Sequence, residues 1–458
     1  MLVSLTLKNW MSFKEETTFD MLPGRERRFS KRILHLKSND RILSVSAIFG
    51  ANAAGKSNFI KALKFMKDLV TCGTGFKEKI LVRPYLFNTK TQKSPCSFNC
   101  LFYTLTEDTR KAATDWMNAD NKGKQNRGLL YEFCFTADED KIISESLIKA
   151  YLTHEVMLYK REGNKISFAD KIAQNKQDEL KKIFKKTKRN QLFLHSAVKH
   201  GDNYFIDAYN WFDQDLQIIS PHERFLPFDL NILDKEYYFC EIDNLLSKLD
   251  TGIKYIVLEQ SDGVERQLMF DTLINDKTDS YIKPGKIIRY IDGFLQRRYL
   301  LRKTKNEIEA YIILSRHYVQ DAEDKVMEIN FTKESDGVMK LFDMLPAFIE
   351  RSSLNKNKVY VIDEFDSNLH PCLAERLIEL FSENIDDKYQ AQLIFSSQNA
   401  LLIDFKKFRR DELWLVSKNK NNESELIRFS EYKEAFTTKN IRNDYLTGRL
   451  DGVPNLCI

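Results

Sequence analysis

The sequence contains no long apolar segment. No stretch approaches the roughly 20 consecutive apolar residues that a membrane-crossing helix needs, so we expect no contact with a membrane. Met1 leads directly into an alternation of apolar and polar residues that is typical of a strand, which argues against a signal peptide. The expected location is therefore the cytoplasm.

The cysteines lack any pattern, and the charge lacks a dominant sign. The seven cysteines include no CxxC pair and no histidine at zinc-finger spacing, so neither a disulfide framework nor a metal cluster is predicted. The 71 Lys plus Arg residues nearly balance the 66 Asp plus Glu residues, leaving a formal net charge of +5. This charge is too small to indicate nucleic-acid binding by itself.

The chain does have enough apolar residues for a sizeable core. Its 458 residues are 43% hydrophobic, which suffices for two or more lobes of a globular protein. Residues 2–13 predict a strand followed by a turn, and the apolar run at residues 42–49 predicts another strand that ends at Gly50. Over residues 57–70 the apolar positions recur at helical spacing. The predicted order is strand, glycine-rich loop, helix.

The rest of the chain shows three patterns. Short apolar stretches between residues 95 and 155 indicate antiparallel strands, whereas residues 165–320 have a mostly helical and charged pattern. The final third contains short apolar runs typical of buried parallel strands, at residues 358–363, 392–396 and 413–416. The expected fold class is α/β, with an antiparallel β-subdomain and an inserted, mostly helical region.

Residues 50–57 read GANAAGKS and fit the phosphate-loop pattern GxxxxGK[ST], between a predicted strand and a predicted helix. The glycines of such a loop let backbone N–H groups and the helix N-terminus face phosphates. Lys56 would neutralise β- and γ-phosphate oxygens, and Ser57 would bind Mg²⁺. An ordinary glycine turn is the weaker interpretation, because pattern and context agree. The residues expected to contact ATP are Gly50, Asn52, Ala53, Ala54, Gly55, Lys56, Ser57 and Asn58.

Two adjacent carboxylates end the apolar run at residues 359–362. Asp363 and Glu364 thereby emerge at the carboxyl end of a predicted buried strand, where α/β sheets bind ligands. Such a pair alone is more often a surface turn, but its combination with a phosphate loop favours a Walker B element. In that role Asp363 holds Mg²⁺ through water, and Glu364 is the catalytic residue that polarises the water attacking the γ-phosphate.

The sequence resembles a known ATPase family almost from end to end. The matching segments are LKNWMSFKE, GANAAGKSN, LDTGI at residues 249–253, ESDGVMKLFDMLP, DEFDSNLHP and YLTGRLDGVP. They resemble the ABC-type ATPases related to the SMC, Rad50 and OLD proteins, and among these the prokaryotic AAA15 ATPases associated with phage defence. The resemblance implies an ABC/SMC-type ATPase head formed by residues 1–160 and 321–458, with a helical arm or lid at residues 161–320.

Residues 334–337 (ESDG) resemble this family's version of the ABC signature, which in relatives caps the γ-phosphate of ATP bound to a second subunit. Ser335, Asp336 and Gly337 stand at the start of a predicted helix, where free N–H groups favour an anion. An ordinary N-cap is the alternative, and the resemblance favours the signature. Residues 366–371 similarly resemble the D-loop, which in relatives contacts the partner subunit.

At the end of the following predicted strand the family usually has a switch histidine, whereas this chain has Gln398. A neutral amide can orient water or phosphate but cannot take up a proton as histidine does. This departure is compatible with slow hydrolysis, with ATP binding as the working signal, or with turnover in which a neutral hydrogen bond suffices.

The resemblance implies an oligomer and a defence role. ATP and Mg²⁺ would lie between the phosphate loop of one subunit and the signature of another in a homodimer or an oligomer of dimers. The protein would be a sensor or regulator in bacterial anti-phage defence, responding to a phage component or nucleic acid. Because nothing of domain size follows Pro454, we expect a separately encoded effector such as a nuclease or toxin.

Two other functions stay open. A DNA-repair or chromosome-structure ATPase would bind DNA directly through basic residues at 181–189 or 297–305. Such runs are more often solvated helix faces, and no sustained heptad pattern supports a coiled-coil arm. A nuclease within the inserted region would need its histidines, which show no ligand spacing: His195, His200, His222 and His317.

Overall fold

The computed structural model describes residues 1–36, 40–74, 79–104, 129–150, 155–221, 223–228, 233, 237–261, 284–292, 297–304, 307–319, 322–349, 358–383, 390–432, 440–450 and 452–453. The fold class is mixed α/β, as predicted, and the chain divides into two compact units. Unit 1 comprises Met1–Gln217, Ser353–Phe365 and Ser382–Ile458, and unit 2 comprises Ile218–Ser352 and Asp366–Phe381. Residues 161–217 of the expected arm belong to unit 1.

A mainly parallel sheet lies largely in unit 1, and its strands come from distant parts of the chain. In spatial order the strands are Leu216–Ile219, Lys358–Ile362, Ala391–Ser396, Val45–Phe49, Leu413–Lys418 and Ser424–Arg428. The four middle strands run parallel, and three of them are buried at every residue. Such apolar runs suit strands that are covered on both faces. The prediction that distant parts of the chain share one sheet is confirmed.

A seven-stranded antiparallel sheet belongs to the same unit. In spatial order its strands are Lys165–Phe168, Glu155–Glu162, Ile142–Ala150, Leu129–Ala137, Cys96–Thr104, Leu2–Lys8 and Thr17–Asp20. Buried and partly exposed residues alternate along Leu129–Ala137, so one face of the sheet packs on the core. This confirms the predicted β-subdomain.

A buried glutamine joins the two sheets of unit 1. The Nε2 of Gln392 donates to the carbonyl oxygen of Leu2 at 2.9 Å, and its Oε1 accepts the N–H of Leu2 at 2.6 Å. Other regular elements of this unit include the helices Lys56–Thr71, Gln174–Lys186, Phe193–Lys199, Ile206–Asn210 and Ile441–Leu446, a π-helical turn at Trp211–Asp215, and the paired strands Ile33–His35 and Arg41–Leu43.

Unit 2 is built on an antiparallel sheet. Its strands are Phe225–Pro227, Ile287–Asp292, Arg297–Lys303, Ile308–Val319 and Tyr255–Gln260 in spatial order, with Ala322–Asn330 also paired to Ile308–Val319. The helices Tyr237–Lys248 and Asp336–Ile349 lie in this unit, as does most of Pro371–Glu383.

We expected a mostly helical region at residues 161–320. This expectation was wrong for the part that lies in unit 2, which is built on a sheet. The many charged residues in this region suggested exposed helix faces. In the structure, charged side chains on neighbouring strands pair with each other across the sheet. Arg302 and Glu309, for example, lie on adjacent strands and form a hydrogen bond of 2.8 Å. Such opposite charges on neighbouring strands stabilise a sheet.

Candidate functional site

The loop at residues 50–57 depends on two glycines with positive φ. Gly50 has a φ of 151° and Gly55 a φ of 126°, values that residues with side chains rarely adopt. A Cβ on Gly50 would lie 2.2 Å from the carbonyl oxygen of Val416, and one on Gly55 would lie 2.4 Å from Oγ of Ser424. The loop therefore curls tightly against the neighbouring strands, and glycine is required at both positions.

The side chain of Lys56 turns back over this loop. Its Nζ donates to carbonyl oxygens of the loop itself, including that of Gly50 at 2.6 Å, and 5% of the residue is exposed. Ser57 is half-buried in the same first turn of the helix, while Asn52 and Ala53 are exposed at the tip of the loop. A cation and the N-terminus of a 16-residue helix thus meet at one point. This arrangement suits an anion such as phosphate.

A turn near the start of the chain braces the loop and its helix. The Nε1 of Trp10 donates to the carbonyl oxygen of Asn58 at 2.8 Å, and the Nδ2 of Asn58 donates to Oγ of Ser12 at 2.8 Å. The carbonyl oxygen of Ser12 accepts the N–H of Ser424 at 2.7 Å, and Oγ of Ser424 donates to the carbonyl oxygen of Ala54 at 2.5 Å. The segment LKNWMSF therefore fixes the start of the helix.

Ser396 ties two carboxylate residues to the middle of the parallel sheet. Its hydroxyl donates to Oδ1 of Asp363 at 2.5 Å and accepts the N–H of Glu364 at 2.8 Å. Asp363 is buried and Glu364 is half-buried. Glu364 has a φ of 51°, a left-handed conformation that costs a non-glycine residue about 1–2 kcal/mol. The serine thus holds both the side chain of Asp363 and the strained backbone of Glu364.

Strand register brings these carboxylates to the edge of the sheet that carries the loop. Ile362, Phe395 and Ala47 are paired side by side on three adjacent strands. Asp363 is one residue beyond Ile362 along its strand direction, and Gly50 is three residues beyond Ala47. Because adjacent strands are about 4.8 Å apart, the strand that ends at Ile362 lies about 10 Å from the strand that leads into the loop. The loop and the carboxylate pair therefore face the same space.

Gln398 emerges from the strand between them. The N–H of Ser397 donates to the carbonyl oxygen of Ile48 at 3.0 Å, which joins the end of this middle strand to the strand of the loop. Gln398 follows immediately and is exposed. The structure thus brings the loop, Asp363, Glu364 and Gln398 together within unit 1.

Unit 2 carries Ser335, Asp336 and Gly337 at the start of the helix Asp336–Ile349. Ser335 and Asp336 are exposed, and Gly337 is half-buried. The Oγ of Ser335 accepts the N–H of Val338 at 3.3 Å, which is the contact of an N-cap residue. Ser335 therefore acts as the N-cap, which was the alternative interpretation of the sequence. It is nevertheless exposed at a helix N-terminus, where anions are favoured.

Gly337 makes room for the turn at residues 366–369. A Cβ on Gly337 would lie 2.4 Å from the carbonyl oxygen of Asn368. The Nζ of Lys340, one turn further along the helix, donates to Oγ of Ser367 at 2.9 Å. The two segments that resemble the signature and the D-loop therefore form one continuous surface of unit 2.

One protein-family model matches the chain over residues 117–404, more than half of its length. The model is described as "AAA domain, putative AbiEii toxin, Type IV TA system". The chain belongs to this AAA-domain family. The matched range includes Ser335, Asp363, Glu364 and Gln398, and it begins after the loop at residues 50–57. Membership of this family supports an ATPase.

Solved structures of SMC heads resemble this AAA-domain protein at low identity. The SmcHead bound to the C-winged helix domain of ScpA is 14% identical with a TM-score of 0.41, over 93% of this chain and 97% of that chain. The SMC head domain from Thermotoga maritima is also 14% identical, with a TM-score of 0.34, over 93% of this chain and 98% of that chain. No curated protein matches the sequence.

Sequence reasoning missed three serines that shape the site, namely Ser12, Ser396 and Ser424. Ser396 had a signal, because a hydroxyl at the end of a wholly buried strand needs a hydrogen-bonding partner. Ser12 lies in the segment LKNWMSF, which was recognised as a motif without a role for the serine. Ser424 had no local signal, since its contact with Ala54 joins positions 370 residues apart.

The basic run at residues 181–189 lies on and just after the helix Gln174–Lys186. Leu180 is buried, and Phe184 packs on Phe193 with ring centroids 5.9 Å apart. The lysines lie mainly on the exposed side, which is the pattern of an amphipathic helix with a solvated face. Tyr299, the aromatic residue in the second basic cluster, is wholly buried, and Lys305 of that cluster lies outside the described residues.

Two of the histidines considered for a nuclease have different main-chain carbonyl groups as partners. The Nδ1 of His195 is 2.8 Å from the carbonyl oxygen of Val70, and the Nδ1 of His200 is 2.8 Å from that of Ser196. His222 lies outside the described residues. Within the described ranges, no three His, Cys, Asp or Glu residues are grouped so as to hold a metal ion. None of the helices in the described residues is long and apolar enough to cross a membrane.

Proposed function

We propose that this chain binds and hydrolyses MgATP as an ABC-type ATPase. The observation that carries the proposal is the placement of the loop at residues 50–57 and the pair Asp363 and Glu364 at one edge of a parallel sheet. A lysine, a helix N-terminus and two carboxylates can together bind a nucleoside triphosphate and its metal ion. Membership of an AAA-domain family supports the same activity.

The loop residues bind the phosphates in this proposal. Backbone N–H groups between Gly50 and Asn58 surround the phosphate oxygens, and Lys56 neutralises those of the β- and γ-phosphates. Ser57 would bind Mg²⁺ through its hydroxyl oxygen and Asp363 would hold it through water, since this ion prefers oxygen ligands and commonly retains water. The donor set therefore fits this ion. When bound, Mg²⁺ offsets phosphate charge.

Glu364 is the proposed general base. It follows Asp363 directly, and its backbone N–H donates to the hydroxyl of Ser396. The backbone position from which its carboxylate extends is therefore fixed. Gln398 orients the attacking water or the γ-phosphate through its neutral amide. Since an amide cannot accept the proton, Glu364 alone supplies the base. We propose that ATP binding holds the active assembly and that slow hydrolysis ends it.

A second copy of the chain completes each site. Ser335 and Asp336 are exposed at a helix start, where with Gly337 they would contact the γ-phosphate held by the loop of the other copy. Two ATP molecules would then stabilise a closed dimer, because they bind the closed state more tightly than the open one. Loss of the γ-phosphate would release it.

Phosphate release from ATP tests the enzymatic part of the proposal. Release by the purified chain should require Mg²⁺ and should fall to background in Asp363→Asn, which keeps the shape of the side chain but removes its charge. Release that persists both in EDTA and in this variant would contradict the proposed site.

The proposed role is that of a cytoplasmic sensor or regulator in bacterial anti-phage defence, acting on a separately encoded nuclease or toxin. The family description names a putative toxin and a type IV toxin–antitoxin system, which supports a system of more than one component. Phage material or nucleic acid would be the trigger. Co-purification from native cells tests this role: a stoichiometric effector supports it, and isolation of the chain alone in both ATP-bound and nucleotide-free states argues against it.

A further inference from the structure

Glu334, which directly precedes the exposed Ser335, is held by two side chains of the sheet in unit 2. The Oγ of Ser315 donates to Oε1 of Glu334 at 2.5 Å, and Nε2 of His317 lies 2.7 Å from the same oxygen. The side chain of Glu334 is 12% exposed, and Ser315 is wholly buried. A carboxylate this far from water is costly unless it is hydrogen-bonded, so these contacts determine where Glu334 lies.

The two side chains that hold Glu334 belong to a rigid element. Ser315 and His317 are two residues apart on one strand and project from the same face. The strand is paired on both sides at this point, since Ser315 is opposite Ile256 on one neighbour and Ile329 on the other. A strand paired on both sides opens less readily than a loop or a frayed end. It therefore provides a fixed reference for the residues that contact it.

The chain that leads to Glu334 is fixed as well. Phe331 is wholly buried and packs on Phe342 with ring centroids 5.0 Å apart. The side chain of Asn330 caps the short turn that begins at Phe331. The chain is therefore anchored up to Glu334, and Ser335 is the first exposed residue after this anchor.

We propose that Glu334 is a positioning residue, which through Ser315 and His317 sets where Ser335 meets the nucleotide of a second copy. This inference rests on the proposed function. Glu334 itself does not contact ATP, because its carboxylate is engaged by the sheet. Without that carboxylate Ser335 shifts, and a misplacement of about 1 Å lowers a rate by about 100-fold. ATP binding by the loop of the same chain does not depend on Glu334.

Glu334→Leu tests this role, with Glu328→Leu as its matched control. Glu328 is another carboxylate on the sheet of unit 2, where it pairs with Arg316 at 2.7 Å with 41% of its side chain exposed. Glu334→Leu should lower kcat by about 10- to 100-fold while KM for ATP stays within about twofold. Glu334→Gln keeps an oxygen acceptor and should recover most of the rate. An unchanged kcat in a folded Glu334→Leu protein would overturn the proposal.

His317→Leu removes one of the two contacts and provides a second test. Its side chain is 23% exposed, so it is less buried than Ser315 and its loss disturbs folding less. The variant should show a smaller fall in kcat than Glu334→Leu, again without a change in KM. Loss of ATP binding in a folded His317→Leu protein would contradict a role limited to Ser335.

Mixed dimers separate a positioning role from a general loss of stability. Glu334→Leu chains mixed with Glu364→Gln chains form one site with both lesions and one with neither, so activity should partly return. A Glu334→Leu chain that was merely misfolded would restore nothing. The reference is Ser335→Arg mixed with Glu364→Gln: recovery there without recovery in the Glu334→Leu mixture overturns the positioning role. If neither mixture recovers although tagged chains exchange, the shared site fails and the positioning role fails with it.

Discussion

The hydroxyl of Ser396 lies 2.5 Å from Oδ1 of Asp363 and donates a hydrogen bond to it. The same hydroxyl oxygen accepts the N–H of Glu364. Hydrogen bonds to a charged carboxylate are stronger than those between neutral groups. One small side chain on the middle strand therefore fixes the metal-binding and the catalytic carboxylates proposed for the neighbouring strand.

Ser396→Ala should reduce activity more than stability. Loss of a hydrogen bond to a charged group, worth about 1.5–3 kcal/mol, should lower kcat by about 10- to 100-fold because both carboxylate residues lose their common anchor. Phosphate-release kinetics provide the measurement. The matched control is Ser46→Ala, which removes a wholly buried hydroxyl from the strand of the loop, where it donates to the carbonyl oxygen of Glu412 at 2.9 Å. Equal losses of activity in the two variants would contradict the role of Ser396.

Lys56→Ala should weaken ATP binding by at least about tenfold, because the loop loses the cation that neutralises the β- and γ-phosphates. Isothermal titration calorimetry measures the change directly. Lys61→Ala is the control, since Lys61 lies on the same helix with its side chain exposed. Normal affinity in Lys56→Ala would mean that the loop does not hold the phosphates.

Glu364→Gln should preserve ATP binding and slow hydrolysis by about 100-fold or more, since the amide keeps the shape of the side chain but cannot act as a base. The ATP-bound assembly should then persist for longer. Size-exclusion chromatography with and without ATP follows the assembly, and phosphate release follows the chemistry. An elution volume that is the same with and without ATP would show that the nucleotide does not control assembly.

Glu412 predicts a pH dependence of stability that is independent of ATP. Burial raises the pKa of this carboxyl from 4.5 to about 7, although Arg32 at 3.1 Å partly opposes the effect. The folded state therefore holds a proton that the unfolded state releases, so this stabilisation is complete below pH 4.5 and is lost as the pH rises through 7. Since one pKa unit corresponds to about 1.4 kcal/mol, the loss is of order 3 kcal/mol.

Denaturant unfolding between pH 5 and pH 8 measures how the free energy of unfolding changes as Glu412 titrates. Glu412→Gln, which cannot titrate, should flatten the decline in the free energy of unfolding relative to wild type. The comparison is between slopes, so a uniform loss of stability in the variant does not affect it. The same slope in both proteins would show that Glu412 does not titrate in this range.

The local parts of the site could be predicted from the sequence. The loop at residues 50–57 and its helix follow from a contiguous pattern, and Asp363 and Glu364 follow from their position after a buried strand. The contacts between distant segments could not be predicted. Ser12, Ser396 and Ser424 act through partners that are distant in sequence. No local pattern determines the strand register and the packing that bring those partners into contact.

The antiparallel sheet of unit 2 was missed for a related reason. The strands Ile287–Asp292 and Arg297–Lys303 carry Arg289 and Arg298, whose guanidinium groups both bond to Oδ1 of Asp343, at 3.0 and 2.9 Å. Asp343 lies on the helix that begins at Asp336, so the charges that resembled a solvated helical face instead bind that helix to the sheet. Charge content alone does not distinguish the two arrangements, because the partner is distant in sequence.

Complementation between two inactive chains tests the shared site most directly. Ser335→Arg and Glu364→Gln should each be nearly inactive alone. A mixture in which tagged chains are shown to exchange should recover ATPase activity, because one of the two sites in a mixed dimer carries neither lesion. Recovery of phosphate release is the result that the shared site predicts. A mixture that exchanges subunits and stays inactive, together with wild-type activity that is independent of concentration down to the monomer, would contradict it.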